Sequence, residues 1–210
     1  MKKGLSSWHF LILVFLLPFL AYGTMRWYEN KYEKLPVLGI EETKDGKKKD
    51  HTVSNFELVN QDGQKVNGES FKGKIAVVDF FFTHCPSICP KMTASLQKVQ
   101  TAYADKILLN SFSVDPEHDS VPQLKKYAKK FGINTKNWNL LTGDKKEIYK
   151  LARNGFMITA ADGDGGEQDF IHSDKLVLVD KQKRIRGYYD GTDAREVNQL
   201  IDDIKKLENE

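Results

Sequence analysis

The pattern of apolar and polar positions divides most of the chain into strands and helices. Residues 51–67 (HTVSNFELVNQDGQKVN) alternate apolar with polar positions before Asp62-Gly63, which predicts a β-hairpin. The run KIAVVDFFFTH at 74–84 is apolar almost throughout, which is typical of a strand buried on both faces. Further strands are predicted at 107–115, 137–143, 175–180 and 184–191, and helices at 90–104, 121–132, 144–156 and 192–209.

The order of these elements predicts an α/β domain. The first hairpin is followed by three strand–helix repeats, then by a second hairpin and a last helix. Alternating strands and helices give parallel strand pairs, and the second hairpin adds an antiparallel edge. This order is the pattern of a thioredoxin-like fold with an extra N-terminal β-hairpin and a central insertion.

The first 25 residues have a different pattern. Lys2 and Lys3 precede a stretch from Leu5 to Met25 that contains no Lys, Arg, Asp or Glu. About 20 apolar residues are enough to cross a hydrocarbon core of about 30 Å. Residues 1–25 are therefore expected to form a membrane anchor, with a cleaved signal peptide as the alternative. In either case the rest of the chain is expected on the exported, periplasmic or extracytoplasmic, side.

Composition and charge describe the remainder of the chain. Residues 26–50 are charged and lack a sustained apolar period, so they are expected to be a tether, and residues 51–210 to form one domain. The net charge of +3, from 32 basic and 29 acidic residues, is too balanced to indicate a nucleic-acid partner.

The chain has two cysteines, and they lie four positions apart in the segment THCPSICP. Pro90 is well suited to the first position of a helix, so Cys89 is expected to be its N-cap and Cys85 to lie in the preceding turn. Both sulfurs would then face the positive end of a helix, which lowers thiol pKa values and favours the thiolate.

Three uses of this pair are compatible with its spacing. A structural disulfide suits an exported protein, but so short a loop would constrain little of the unfolded chain. Redox pairs of the thioredoxin type have two residues between their cysteines, whereas here there are three. Two soft sulfurs also suit Cu(I), and a third ligand would then be needed.

Candidate third ligands are the histidines, whose surroundings in the sequence differ. His9 lies in the apolar N-terminal segment, and His51 and His118 are expected at the surface. His84, next to Cys85, is expected to pack or to support the site. His172 precedes a core strand. Spacing alone does not choose between these histidines.

Three segments, in this order, resemble motifs of the Sco/SenC family of cytochrome oxidase assembly proteins. THCPSICPKM is similar to the family's C-x3-C-P copper motif, SFSVDPEHDS to its S-x-D-P-x-x-D segment and DFIHSDKLVLVD to its histidine segment. The similarity spans about residues 51–207. This resemblance implies that Cys85, Cys89 and His172 bind one copper ion per chain, as Cu(I) or Cu(II). Asp115 matches an acidic residue near the family's site and is expected to support the ligands or to dock a partner.

The resemblance also implies a function. A copper metallochaperone would deliver copper to the dinuclear copper (CuA) centre of a membrane cytochrome c oxidase, with the copper-bearing subunit as partner. A second periplasmic copper donor or a thiol reductase would be a further partner. The alternative is a thiol–disulfide reductase that keeps the oxidase subunit's cysteines reduced, so enzymatic activity stays open. A peroxidase or redox sensor is disfavoured, because no arginine lies near the cysteine loop in the sequence.

Overall fold

The computed structural model describes residues 7–32, 34–42, 45–158 and 173–210. The chain divides into two compact units, residues 1–34 together with residue 210, and residues 35–209. In the first unit, helix α1 (Ser7–Tyr32) contains Pro18. Within the described part of the chain, no helix combines the length and the apolar character that crossing a membrane would require.

The second unit is built on one seven-stranded sheet, with a separate two-stranded sheet near its start. The strands of the small sheet are β1 (Ile40–Glu42) and β2 (Lys48–Asp50). Along the large sheet the order is β4-β3-β7-β6-β5-β8-β9. In chain order these strands are β3 (Glu57–Asn60), β4 (Lys65–Asn67), β5 (Ile75–Phe81), β6 (Ile107–Ser113), β7 (Trp138–Thr142), β8 (Lys175–Val179) and β9 (Ile185–Asp190).

The strand pairing confirms the predicted mixed α/β architecture. β5, β6 and β7 are parallel, and the register of β5 on β6 runs from Ile75 opposite Ile107 to Phe81 opposite Ser113. The N-terminal hairpin joins one edge through the antiparallel pair β3–β7, and the C-terminal hairpin joins β5 through the antiparallel strand β8. The carboxyl ends of β5 and β6 therefore lie side by side.

Side chains alternate between the two faces of the sheet along each strand, so an apolar strand presents apolar side chains on both faces. Helices cover both faces. In β5, Val77 and Phe81 belong to the hydrophobic cluster formed with three of the helices, whereas Val78 and Phe80 belong to the cluster on the opposite face. The helices of the second unit are α2 (Ile88–Tyr103), α3 (Val121–Phe131), α4 (Lys145–Lys150) and α5 (Ala194–Glu208).

Helix ends follow the predicted capping residues. Gly132 ends α3 in the left-handed conformation with φ of 64°, which glycine adopts without steric cost. Asp144 caps α4 by accepting from the Glu147 N–H, as predicted. However, α4 ends at Lys150 and a π-helical turn follows, so the predicted single helix over 144–156 is two elements.

Residues 35–50 depart from the predicted tether. Leu38 pairs with Ile185 of β9, and the buried Arg186 donates to the carbonyl oxygens of Leu35 (2.5 Å) and Pro36 (3.2 Å). A buried guanidinium needs acceptors for its N–H groups, and this segment supplies two of them. The segment is therefore part of the folded unit.

His51, which was expected at the surface, is also buried in this region, with 6% of its surface exposed. Its Nδ1 lies 2.6 Å from Glu41 Oε1 and its Nε2 lies 2.8 Å from the Gly155 carbonyl oxygen. The acceptors that satisfy the ring come from positions far from it in sequence, and local polarity did not predict them.

Candidate metal centre

The cysteine loop connects β5 to α2. The structure starts α2 at Ile88, so Cys89 is the second helical residue, and the prediction that Cys89 is the N-cap is wrong. The N–H groups of the first helical turn have no acceptor within the helix, so Pro90 fits the third position as well as the first. Cys85 precedes the helix, and its N–H donates to the Phe82 carbonyl oxygen at 3.2 Å.

The two sulfurs are close together, free and buried. The exposed fractions of Cys85 and Cys89 are 7% and 4%. The Cys89 N–H donates to the Cys85 Sγ at 3.4 Å, and the Cys89 thiol hydrogen-bonds to the same sulfur. The first turn of α2 thus directs its N–H groups at the Cys85 sulfur, as expected for an anion at a helix N-terminus.

This arrangement separates the acidities of the two thiols. Burial alone would raise the pKa of Cys85, but the N–H groups of Cys89, Ser87 and Ile88 bring that pKa below the ordinary value for a thiol. Burial raises the pKa of Cys89 strongly, and the negative charge of Cys85 adds to the shift. Cys85 is therefore the sulfur that ionises first, and Cys89 retains its proton.

A carboxyl group that the sequence reasoning missed lies on the same face of the sheet. Asp79 occupies the position between Val77 and Phe81 in β5, is 2% exposed and has an Oδ1 atom without a hydrogen-bond partner among the described residues. Burial raises the pKa of Asp79 to about 7, although a hydrogen bond with Ser111 acts in the opposite direction. The signal in the sequence was an acidic residue inside an apolar strand.

Asp119 joins the loop after β5 to the loop after β6. This carboxylate has no exposed surface and accepts hydrogen bonds from the Thr83 N–H (3.0 Å), the Thr83 hydroxyl (2.5 Å) and the Ser113 hydroxyl (2.6 Å). Asp119 lies in the segment SFSVDPEHDS, but its role depends on Thr83, which is 36 positions away, and could not be predicted from that segment. Because Asp119 fixes both loops, it places His84 beside the 115–119 turn.

Asp115 lies in that turn, close to the cysteine loop. Its carboxylate oxygens are 2.8 and 3.0 Å from Nδ1 of His118, and this hydrogen bond raises the pKa of His118. His118 is exposed, and its ring centroid is 6.3 Å from that of His84. The predicted role of Asp115 in ligand support or docking stays a prediction.

The third predicted ligand, His172, lies outside the described residues, as does the glycine-rich loop before it. The next described residues, Ser173 and Asp174, lead into β8, which is antiparallel to β5. Antiparallel pairing puts the start of β8 at the carboxyl end of β5, which is also the end that carries the cysteine loop. Across residues 7–158 and 173–210, gaps excepted, no group of three or more His, Cys, Asp or Glu side chains is gathered as for a metal ion.

The donor set fits copper as far as it is described. Thiolate sulfur is a soft ligand that suits Cu(I), and the two sulfurs come from one turn of chain. Two sulfurs leave the coordination of an ion incomplete, so a further donor is required.

Comparisons with known proteins identify the family. The SCO1/SenC family model matches residues 44–209. The SCO1 protein homolog of Bacillus subtilis is 37% identical over 159 residues, which cover 74% of this chain and 82% of that protein.

Two solved structures share the fold. One is BsSco, described as a member of the Sco family of cytochrome c oxidase assembly proteins with a disulfide switch, at 35% identity and a TM-score of 0.64, covering 75% of this chain and 93% of that one. The other is ScoI of Bradyrhizobium japonicum with copper bound, at 27% identity and a TM-score of 0.60, covering 74% and 99%. The predicted thioredoxin-like fold is confirmed by this likeness. With its cysteine loop, its fold and the matched residues 44–209, the chain belongs to the SCO1/SenC family.

Proposed function

We propose that this chain binds one copper ion through Cys85, Cys89 and His172 and delivers it to the dinuclear copper (CuA) centre of a cytochrome c oxidase. The observation that carries the proposal is the pair of free, adjacent sulfurs at the start of α2. Relatives in the family support it, since one is described with bound copper and another as an oxidase assembly protein.

The different acidities of the sulfurs suit uptake of a soft cation. Thiolate is the form that binds metal, and the backbone N–H groups that stabilise the Cys85 thiolate are in place before the ion arrives. The pKa of Cys89 is raised by burial, so this thiol gives up its proton as the metal binds. Imidazole from His172 would add a ligand that accommodates Cu(II) as well as Cu(I).

Delivery requires a partner to reach the ion. The cysteines are buried, but Pro86 and Ser87 between them are exposed, so the loop itself is at the surface. An incoming ligand from the oxidase's copper-bearing subunit could replace the sulfurs one at a time. This site is therefore suited to exchange rather than to storage.

Attachment to the membrane on the exported side belongs to the same proposal. Lys2, Lys3 and the uncharged stretch that follows them support it. Confining donor and acceptor to one membrane raises their effective concentration. Fractionation of cells that produce the full chain tests this part, because recovery in the soluble fraction with an intact N-terminus would contradict it.

The alternative function is reduction of disulfides in the oxidase subunit. The observation that favours it is one thiol with a lowered pKa beside one with a raised pKa. The Cys85 thiolate would attack a partner disulfide and release one partner thiol, and Cys89 would then displace the second. The Cys85–Cys89 pair would end oxidised and the partner reduced by the same two electrons.

Anaerobic titration of the reduced full-length chain with Cu(I) and with Cu(II) separates these functions. We expect one copper per chain and a thiolate-to-Cu(II) charge-transfer band, lost in Cys85→Ser and weakened or shifted in His172→Ala. Ser173→Ala is the matched control and should behave as the wild type. Weak copper binding that is independent of His172, together with ready reduction of disulfides, would contradict delivery and support the reductase.

A further inference from the structure

Two imidazole rings lie next to each other, edge to face, beside the cysteine loop. His84 follows β5 and His118 follows β6, and their ring centroids are 6.3 Å apart with the ring planes at 79°. Both side chains are exposed. His84 is the immediate neighbour of Cys85 in the chain. Neither histidine was assigned as a ligand by the sequence.

Hydrogen bonding fixes which nitrogen of His84 carries the proton. The Thr83 hydroxyl has one hydrogen, which it donates to Asp119 Oδ1 at 2.5 Å, while it accepts from Gln123 Nε2 at 3.0 Å. His84 Nδ1 lies 3.3 Å from the same hydroxyl oxygen, so the ring nitrogen must be the donor in this contact. The neutral ring then has its lone pair on Nε2.

His118 is held in the same tautomer by a different group. Its Nδ1 is 2.8 and 3.0 Å from the two carboxylate oxygens of Asp115, which only accept hydrogen bonds when ionised. Nδ1 is thus the donor, and the lone pair of the neutral ring is again on Nε2. Histidines that bind metals commonly donate their other N–H to a carboxylate in this way.

We propose that His84 and His118 form a second, weaker copper site, which captures the ion from solvent or from a donor and passes it to the cysteine pair. Imidazole nitrogen is a good ligand for copper. With an ion-to-nitrogen distance of about 2.0 Å, one ion reaches Nε2 of both rings at about this centroid separation when the two Nε2 atoms point toward it. The identity of the metal rests on the proposed function, and the two-histidine site does not.

The loops that carry the two rings are held in fixed positions. The buried Asp119 carboxylate, in the loop after β6, accepts from Thr83 in the loop after β5 and from Ser113 at the end of β6. Within the turn, the His118 N–H donates to the Asp115 carbonyl oxygen at 3.1 Å. A site supported in this way needs little reorganisation when an ion binds. With two protein ligands completed by water, the ion remains easy to transfer.

The test removes the first site so that the second can be measured alone. In the full-length chain carrying Cys85→Ser, Cys89→Ser and His172→Ala, Cu(II) is titrated at about pH 8, since a protonated imidazole cannot bind a metal. We expect one Cu(II) whose electron paramagnetic resonance spectrum shows coupling to two nitrogens. When His84→Ala or His118→Ala is introduced into this triple variant, the affinity for Cu(II) should fall by roughly tenfold or more and one nitrogen coupling should disappear.

Two further variants distinguish specific coordination of Cu(II) by the two histidines from nonspecific electrostatic binding of Cu(II) at the surface. Asp115→Asn should weaken binding by roughly tenfold while both nitrogen couplings remain, because it changes only the partner of His118 Nδ1. Glu117→Gln removes an exposed charge of the same turn that acts on His118 only through its field, so it should change the affinity far less than Asp115→Asn does. If neither histidine substitution changes binding or the spectrum, the proposed site does not exist.

The capture step is tested in the chain with its cysteines intact. After rapid mixing with Cu(II), the thiolate-to-copper band should appear several-fold more slowly in His84→Ala and His118→Ala, with an unchanged final amplitude. An unchanged rate would overturn the capture role even if the site binds copper. Absence of the band in the wild type would instead contradict the proposed function, and the cysteine-free titration would still decide the histidine site.

Discussion

Asp79 and Asp119 are buried carboxyl groups close to the cysteine loop, and they differ in their hydrogen bonds. Asp119 accepts three hydrogen bonds from Thr83 and Ser113, whereas Asp79 has one oxygen without a partner among the described residues. Burial raises the pKa of Asp79 to about 7. Both acids are buried, so the difference lies in the available hydrogen-bond donors. With enough donors a buried carboxylate stabilises the fold, and without them its pKa rises.

The largest effect is expected from removal of the Asp119 carboxylate. Asp119→Ala leaves the donors on Thr83 and Ser113 without their acceptor in a buried position, so we expect a loss of about 5 kcal/mol in the free energy of unfolding. Urea denaturation followed by circular dichroism measures it. Ser113→Ala, which removes a single donor, should cost only about 1 kcal/mol. Equal effects of the two variants would contradict the central role of Asp119.

Asp79→Asn should change the dependence of stability on pH. The pKa of Asp79 is raised from 3.8 to about 7, so the folded state binds a proton that the unfolded state releases in this interval. The contribution of Asp79 to the free energy of unfolding is therefore fully present below about pH 4 and is lost as the pH rises to about 7.

The variant lacks this loss, so its stability relative to the wild type should increase by about 4 kcal/mol between pH 4 and pH 8. Urea midpoints at the two pH values measure the change. Parallel profiles for wild type and variant would show that Asp79 is ionised throughout, as an acid with a full set of donors would be.

The rates at which the two cysteines are alkylated, measured in single-cysteine variants, report their acidities and the effect of the Asp79 charge on Cys89. Cys85 in the Cys89→Ser background should react with iodoacetamide roughly tenfold faster at neutral pH than Cys89 in the Cys85→Ser background. The reason is that the N–H groups at the start of α2 lower the pKa of Cys85, whereas burial raises that of Cys89. Asp79→Asn should increase the rate at Cys89, because the Asp79 charge contributes to the raised pKa of Cys89. Equal rates at the two cysteines would contradict the separation of their acidities.

The smallest effect is expected from an exposed acid with one hydrogen bond. Asp144 accepts from the Glu147 N–H at the start of α4, and Asp144→Ala should cost about 1 kcal/mol. Thermal unfolding measures it. Asp144→Ala serves as the reference for the two buried acids. If it lowered the free energy of unfolding as much as Asp119→Ala does, the measurement would not distinguish buried from exposed carboxylates.

Sequence predicted the elements whose signals are local. The apolar run at 74–84 predicted β5, Gly132 predicted the end of α3, and Asp62-Gly63 predicted the first hairpin. These features depend on residues within a few positions of one another.

Features that depend on distant partners were not predictable. The donors to Asp119 lie as far as 36 positions away, and Arg186 finds its acceptors some 150 positions earlier in the chain. The sequence predicted that α2 starts at Pro90, whereas it starts two residues earlier, at Ile88. A proline is acceptable at several positions of a first helical turn, so Pro90 did not fix the start. The cysteine ligands were recognised from their spacing and the family resemblance, whereas their unequal acidities required the folded backbone.

The contacts of Arg186 have a practical consequence for the preparation of a soluble fragment. A fragment that starts at residue 51, where the regular pattern of strands begins, would lack the carbonyl oxygens of Leu35 and Pro36 and the Glu41 carboxylate beside His51. The buried guanidinium would lose acceptors in a position where water replaces them poorly. A fragment that starts before Leu35 retains these acceptors, so the boundary for protein expression is better placed at the first residue that the folded unit holds than at the first predicted strand.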